Sequence, residues 1–188
     1  MSLGALIMRF RTRGEGFCLL NDIAISAHYL IKNQLSKKVL VVDLDVHQGN
    51  GTAEIFKDEE AVFTFSMHGA ANYPLHKEKS DLDVPLPDKV GDEFYIKTLK
   101  EYLPRLIDRV MPDFIIYQCG VDVLSTDKLG RLGLSIQGCR DRDRIVLETA
   151  YQHGLPIMCC MGGGYSEKIG HIIEAHANTY RLAQDIFF

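Results

Sequence analysis

The sequence contains no tryptophan, no Cys-x-x-Cys pair and no apolar run near the roughly 20 residues that a membrane-spanning helix needs. Its cysteines are odd in number (Cys18, Cys119, Cys139, Cys159 and Cys160), which excludes a fully paired disulfide framework and points to reduced thiols. Excess positive charge is also missing. A formal net charge of −4 leaves no global basic footprint for nucleic acid. The opening Met1-Ser-Leu-Gly-Ala-Leu-Ile-Met8 is too short and wrongly flanked for a signal peptide. The expected location is therefore cytoplasmic, or nuclear in a eukaryote, with no membrane and no direct nucleic-acid partner. Repeats, low-complexity tracts and linkers are absent, so residues 1–188 read as a single domain large enough for a substantial core.

What is present alternates between helix and strand. Leu19 to Gln34 carries apolar residues at helical spacing, with Asn21 or Asp22 as its cap. Val39 to Leu44 is an almost unbroken apolar run, as expected of a parallel strand covered on both faces. A short helix over Gly51 to Phe56 and a strand over Ala61 to Met67 follow. The loop from His68 to Lys89 holds a short extended piece, Leu82 to Leu86. Gly91 to Val110 reads as a helix that Pro104 should kink or divide. A strand (Asp113 to Cys119), a helix (Ile136 to His153), a strand (Leu155 to Met161) and a final helix to about Ala183 complete the chain. The pattern predicts an α/β fold, a three-layer αβα arrangement with a mainly parallel sheet. Ligands bind beyond the carboxyl ends of such strands. The polar punctuation falls there: Asp43/Asp45/His47, Ser66/His68, Gly120/Asp122 and Gly162 to Tyr165.

In extended backbone, residues two apart share a face, so Asp43, Asp45 and His47 are expected to project together. One reading makes the aspartate a cap for the next helix and the histidine a satisfied core residue. The sharper reading adds Asp122: two carboxylates and an imidazole, with one position open, suit a catalytic Zn²⁺. Asp43 is then surplus negative charge and must shift its pKa, pair with a histidine or face a second cation. The three glycines before Tyr165 permit a tight turn, or a phosphate cradle, though the spacing of a nucleotide fingerprint is missing. A tyrosine there, facing a metal, can donate to a developing oxyanion. His28, His153, His171 and His176 fall on helices as surface or core residues, and His76 in a solvated loop.

Taken together, Gly16-Phe-Cys-Leu-Leu-Asn-Asp22, Asp43-Leu-Asp-Val-His-Gln-Gly-Asn-Gly51, Ser66-Met-His68, Val84-Pro-Leu-Pro87, Gly120-Val-Asp122 and Gly162-Gly-Gly-Tyr165 resemble the arginase-like zinc lysine deacetylases, the histone deacetylase family. Gln48 and Asn50 look more like class IV and related bacterial members than class I. The resemblance implies Asp45, His47 and Asp122 as Zn²⁺ ligands and Tyr165 as the residue that polarises the acyl carbonyl. It implies a structural K⁺ site at Asp43 with the backbone of Ser66 and Met67, and His68 beside it. Gly16, Phe17, Tyr73, Gly163 and Gly164 would wall the channel for an acyl-lysine protein or another acylated amine. The implied reaction is amide hydrolysis, with water activated at the metal and free lysine released.

Family members also carry two adjacent histidines, as general base and acid, shortly before the stretch that ends in Phe17. Ile7-Met8 stands in that region, and no His-His pair occurs anywhere in the chain. Residues 1–13 are accordingly read as atypical, and the chain as the fold without its N-terminal part. General acid–base help contributes about 10²–10⁴-fold, so weak activity is expected. A silent metal-binding or assembly module and an acetylpolyamine-type amidohydrolase are the alternatives. An exposed sheet edge predicts a homo-oligomer.

Overall fold

The structure is a computed structural model that describes residues 20–188. Five parallel strands, β1 (Val39–Asp43), β2 (Val62–Gly69), β3 (Leu82–Leu86), β4 (Phe114–Gln118) and β5 (Ile157–Cys160), form one sheet in the order β3-β2-β1-β4-β5. After β1 the chain winds to one side through β2 and β3, then crosses back to place β4 and β5 on the other. The crevice between the carboxyl ends of β1 and β4 is thus a topological switch point, the usual ligand site of open α/β sheets.

Helices α1 (Asp22–Lys32) and α2 (Asn50–Phe56) cover one face, while α3 (Asp92–Val110), α4 (Ile136–Gln152) and α5 (Ile169–Phe187) belong to the other. The strand pleat sorts the residues of β1 between them. Val39 and Val41 join Ile23, Ala27, Phe56 and Ile116 in a smaller cluster. Leu40, Val42 and Leu44 join Phe65, Leu99, Tyr117 and Val146 in the larger one. Both layers exclude water, which is why β1 is apolar at every position before Asp43. The sequence-based reading of an αβα arrangement around a parallel sheet holds, and the short piece Leu82–Leu86 is a full edge strand.

Asn21 caps α1 by accepting from the Ala24 amide. Pro104 departs from expectation, because α3 runs unbroken from Asp92 to Val110. The buried stripe Tyr95, Leu99, Leu103, Leu106, Ile107 and Val110 continues on both sides of it. Pro104 and Lys100 are both exposed, so the Lys100 carbonyl that loses its helical donor faces water. The final helix runs to Phe187, beyond the expected end at about Ala183. No helix among the described residues is long and apolar enough to cross a membrane.

Candidate metal centre

β1 stops at Asp43, and residues 45–47 form a bend. Strand alternation therefore does not carry Asp43, Asp45 and His47 onto one face as expected. The bend, not the pleat, delivers Asp45 and His47. Asp43 Oδ1 accepts from the Asp45 amide at 3.1 Å, and Asp45 Oδ1 accepts from the His47 amide at 2.9 Å, so each carboxylate tightens the turn after it. Asp122 reaches the same place from the loop after β4, where its Oδ1 accepts from the Val46 amide at 3.0 Å.

The ligand atoms of Asp45, His47 and Asp122 all lie within 4.8 Å of one another. His47 Nδ1 stands 3.0 Å from Asp45 Oδ1 and 3.1 Å from Asp122 Oδ2. Ligands of a tetrahedral Zn²⁺, each about 2.0–2.2 Å from the ion, stand about 3.3–3.6 Å apart. The donor set fits such an ion with little adjustment. Both carboxylates are buried, at 2% and 0% exposure, while His47 keeps an opening toward solvent.

Glycines make this crowding feasible. A Cβ on Gly163 would stand 2.0 Å from Asp122 Oδ2, and one on Gly120 would stand 2.2 Å from Asp45 Oδ2. The Gly163 amide instead donates to Asp45 Oδ2 at 3.1 Å. Gly162 to Gly164 is therefore a close wall of the carboxylate pair, and the phosphate-cradle reading has no support in this geometry. Tyr165 follows on the same turn, its ring edge 3.1 Å from where a Gly163 Cβ would be.

The buried charges of the cluster act strongly on one another. Burial works against charge on His47, but hydrogen bonds to Asp122 and Asp45, with their charges, push its pKa up to about 10. Burial and the charge of Asp45 push Asp122 up to about 7 against the bond from His47. Burial would raise Asp45 too, yet His47 and the His47 and Gly163 amides hold it below the ordinary value. Asp43 is raised well above the carboxylate range by burial and then by Asp45, and its buried Oδ2 has no hydrogen-bond partner among the described residues.

The remaining candidates occupy the surrounding rim. Ser66 and His68 lie within β2, with Ser66 Oγ 3.0 Å from His68 Nδ1. Burial and Lys77 lower the His68 pKa to about 4, against the charge of Asp83. Met67 is buried in the larger core. Tyr73 is half exposed in the loop after β2. Gly16 and Phe17 lie outside the described residues. His28, His76 and His153 are exposed, and His176 is a core residue buried behind the glycine turn, its Nε2 3.7 Å from where a Gly164 Cβ would stand; all four fit the expectation.

Three residues matter more than their sequence context suggests. Gln48 ties the metal turn to the Tyr73 loop: its amide donates to Glu78 O and Asp83 Oδ1, and its Oε1 accepts from Glu78 N. Asp127 accepts from the Tyr165 amide at 2.6 Å and so fixes the tyrosine turn. Arg142 is fully buried behind the centre.

A family model, the histone deacetylase domain, matches residues 10–180. The chain is 43% identical to an uncharacterised protein of Picosynechococcus sp. over 174 residues, covering 93% of this chain and 58% of that one. It is 33% identical to histone deacetylase clr6 of Schizosaccharomyces pombe over 176 residues, covering 88% and 42%. Among solved structures, a histone deacetylase homologue complexed with SAHA superposes with a TM-score of 0.82 at 28% identity, covering 96% of this chain and 50% of that chain. An acetylpolyamine aminohydrolase from Burkholderia pseudomallei shares the fold, with a TM-score of 0.82 at 24% identity. The chain thus spans about half the length of the relatives it matches. With the motifs, the sheet and the match over residues 10–180 in agreement, the chain belongs to the histone deacetylase domain family.

Proposed function

We propose that this chain carries the metal half of a zinc-dependent deacylase that hydrolyses acyl-lysine or a similar acylated amine. The observation that carries the reading is the convergence of Asp45, His47 and Asp122 at the switch point, beside the glycine turn that leads to Tyr165. A Zn²⁺ held by these three residues supplies Lewis-acid polarisation of the carbonyl and activation of water. Tyr165 donates its hydroxyl proton as a hydrogen bond to the developing oxyanion. Gly163, Gly164 and Tyr73 line the approach to it. Reduced thiols fit a cytoplasmic setting.

Asp43 has a separate part in this proposal. Its buried Oδ2, without a hydrogen-bond partner among the described residues, suits a K⁺ held with the backbone of Ser66 and Met67. Replacing KCl by choline chloride should then lower thermal stability of the wild type and leave Asp43→Asn unaffected. Equal stability of the wild type in both salts removes the K⁺ site.

A second reading has its own support. The given sequence holds no adjacent pair of histidines that could serve as general base and acid. The chain then binds metal without turning over substrate. A fluorogenic acetyl-lysine peptide assay separates the two readings. Hydrolysis above free Zn²⁺ that His47→Ala abolishes sinks the silent module, and its absence in a zinc-loaded protein sinks the enzyme. Parallel assays on acetylated polyamines test the narrower substrate question, which the Burkholderia relative's name raises.

Self-association belongs to the same proposal. β5 is an edge strand, and Met161, Ile169, Ile173 and Tyr180 are exposed near that end of the chain. A second copy adding its own β5 would cover the β5 edge of each copy. Sedimentation equilibrium should show a dimer, and a well-behaved monomer overturns it.

A further inference from the structure

The β1–β4 ladder ends one residue before the metal turn. Asp43 pairs with Gln118, and the Leu44 amide donating to Gln118 O at 3.2 Å is its last backbone link. Beyond it the two strand exits diverge, one toward Asp45 and His47, the other toward Asp122. The carbonyls of Leu44, Cys119 and Gly120 are left there in a dry interior, where an unmatched acceptor is costly.

One side chain satisfies all three. Arg142 Nη1 donates to Gly120 O at 2.6 Å and to Leu44 O at 3.2 Å, while Nη2 donates to Cys119 O at 3.2 Å. The Leu44 carbonyl belongs to the peptide unit that begins Asp45, and the Gly120 carbonyl lies two residues before Asp122. The guanidinium is itself anchored. Its Nε donates to Asp143 Oδ1 at 2.8 Å, and Asp143 also accepts from Tyr117 Oη and Thr179 Oγ1, both at 2.6 Å. Arg142 and Asp143 are both fully buried.

The attraction between Arg142 and Asp143 is a poor source of stability by itself, since desolvation of a buried pair offsets it. The pair's value here is geometric. A planar fork with fixed donor directions sets the distance between two backbones, which a lysine's single ammonium cannot reproduce.

We propose that Arg142 is a positioning residue for the metal centre, clipping the exits of β1 and β4 so that Asp45, His47 and Asp122 are held at ligand spacing. The proposal rests on the metal-site reading above. It is tested on the full chain with Zn²⁺ affinity, measured by chelator competition, and with the visible absorption bands of bound Co²⁺, which report ligand geometry. Arg142→Lys should weaken Zn²⁺ binding by about 10–100-fold and change the Co²⁺ spectrum, at temperatures well below its own melting point. Tyr117→Phe and Thr179→Val each remove a bond to Asp143 without touching the fork. They should lower thermal stability while keeping the wild-type spectrum and affinity.

If Arg142→Lys does not fold, Asp143→Asn decides, because it loosens the anchor of the fork. It should weaken Zn²⁺ binding and change the Co²⁺ spectrum to a lesser degree. Wild-type affinity and spectrum in a folded Arg142→Lys or, failing that, in Asp143→Asn overturn the proposal. So does an equal metal defect in Tyr117→Phe or Thr179→Val, which would make it a general effect of a looser core. A wild-type protein that binds neither Zn²⁺ nor Co²⁺ overturns the metal-site reading itself, and the clip's role with it.

Discussion

A methyl group at residue 163 would stand 2.0 Å from Asp122 Oδ2, inside any contact distance that two such atoms tolerate. Gly163→Ala should therefore displace the Asp122 carboxylate and lower Zn²⁺ affinity by at least about 10-fold, a loss of about 1.4 kcal/mol. Gly170 is the internal control. A Cβ there meets nothing, and the residue sits in the first turn of α5. Gly170→Ala should raise stability by up to about 1 kcal/mol and leave metal binding unchanged. Chelator competition and thermal melts on both variants check the pair. A different charge effect is expected at Asp113, which is remote from the centre. Burial would raise its pKa, but bonds from the Ser36 hydroxyl and the Lys37 and Lys38 amides hold it below the ordinary 3.8. A carboxylate depressed in the folded state stabilises above its unfolded pKa, and that contribution fades as pH falls through the folded value. The stability gap between wild type and Asp113→Asn should thus be full at neutral pH and close in acid below 3.8, as denaturant melts across that range would show. At this scale the sequence was partly legible. Asp45, His47 and Asp122 could be selected by residue type and by their position after apolar runs. Arg142 and Asp143 were missed, although the signal existed: two charges stand within the stripe Cys139, Val146, Leu147 and Ala150, where a surface helix would place none.

Elements are where periodicity speaks most clearly and where its limits show. β1 could be read from the almost unbroken apolar run of Val39 to Leu44, because helices cover both its faces. The pleat rule then failed at the strand end. Residues 45–47 leave extended geometry, and Asp43 stays on the α1/α2 face with its Oδ2 near Gly49. Side chain to backbone bonds from Asp43 and Asp45 shape that bend, and nothing in hydrophobic spacing encodes them. α3 shows the opposite error. Proline in a helix interior carries a cost of about 3 kcal/mol, which made a break at Pro104 the natural expectation. Tertiary burial of Leu99, Leu103, Leu106 and Ile107 outweighs it, since breaking the helix would lift part of that stripe from the core. Pro104→Ala should therefore restore a bond to the exposed Lys100 carbonyl and stabilise the protein by about 1–3 kcal/mol. The gain falls short of the full propensity difference where proline's stiffening of the unfolded chain offsets it. A urea melt with a raised midpoint and unchanged slope is the expected record. An unchanged midpoint would mean that α3 already absorbs the proline without loss.

For the whole molecule, the centre is also a tie between distant stretches of chain. Its three donors come from the turn after β1 and the loop after β4, and the glycine turn after β5 closes over them. Further bonds extend the tie. Gln48 reaches the loop at Glu78, Asn72 bonds Leu129 O and Arg131 N, and Asp127 holds Tyr165 N. Without a dication, buried carboxylates face one another across a single shared imidazole, so the folded state itself carries the electrostatic burden. An ion that binds only this arrangement stabilises the whole fold by mass action, about 4 kcal/mol when free ion stands at a thousand times its dissociation constant. At about 2–4 °C per kcal/mol for a chain of this size, Zn²⁺ should raise the melting temperature by roughly 8–16 °C. A chelator should reverse the rise completely. In His47→Ala, one donor is gone but the backbone bonds of the turn remain, so the rise should shrink to a few degrees at the same Zn²⁺ concentration. In Arg142→Lys, the weaker affinity should cost about 1.4 kcal/mol of the zinc-dependent gain for each tenfold loss. Differential scanning calorimetry of the three proteins, with and without Zn²⁺, reads all of this from one observable. A wild type that melts at the same temperature in both conditions would show that the tie is made by protein bonds alone.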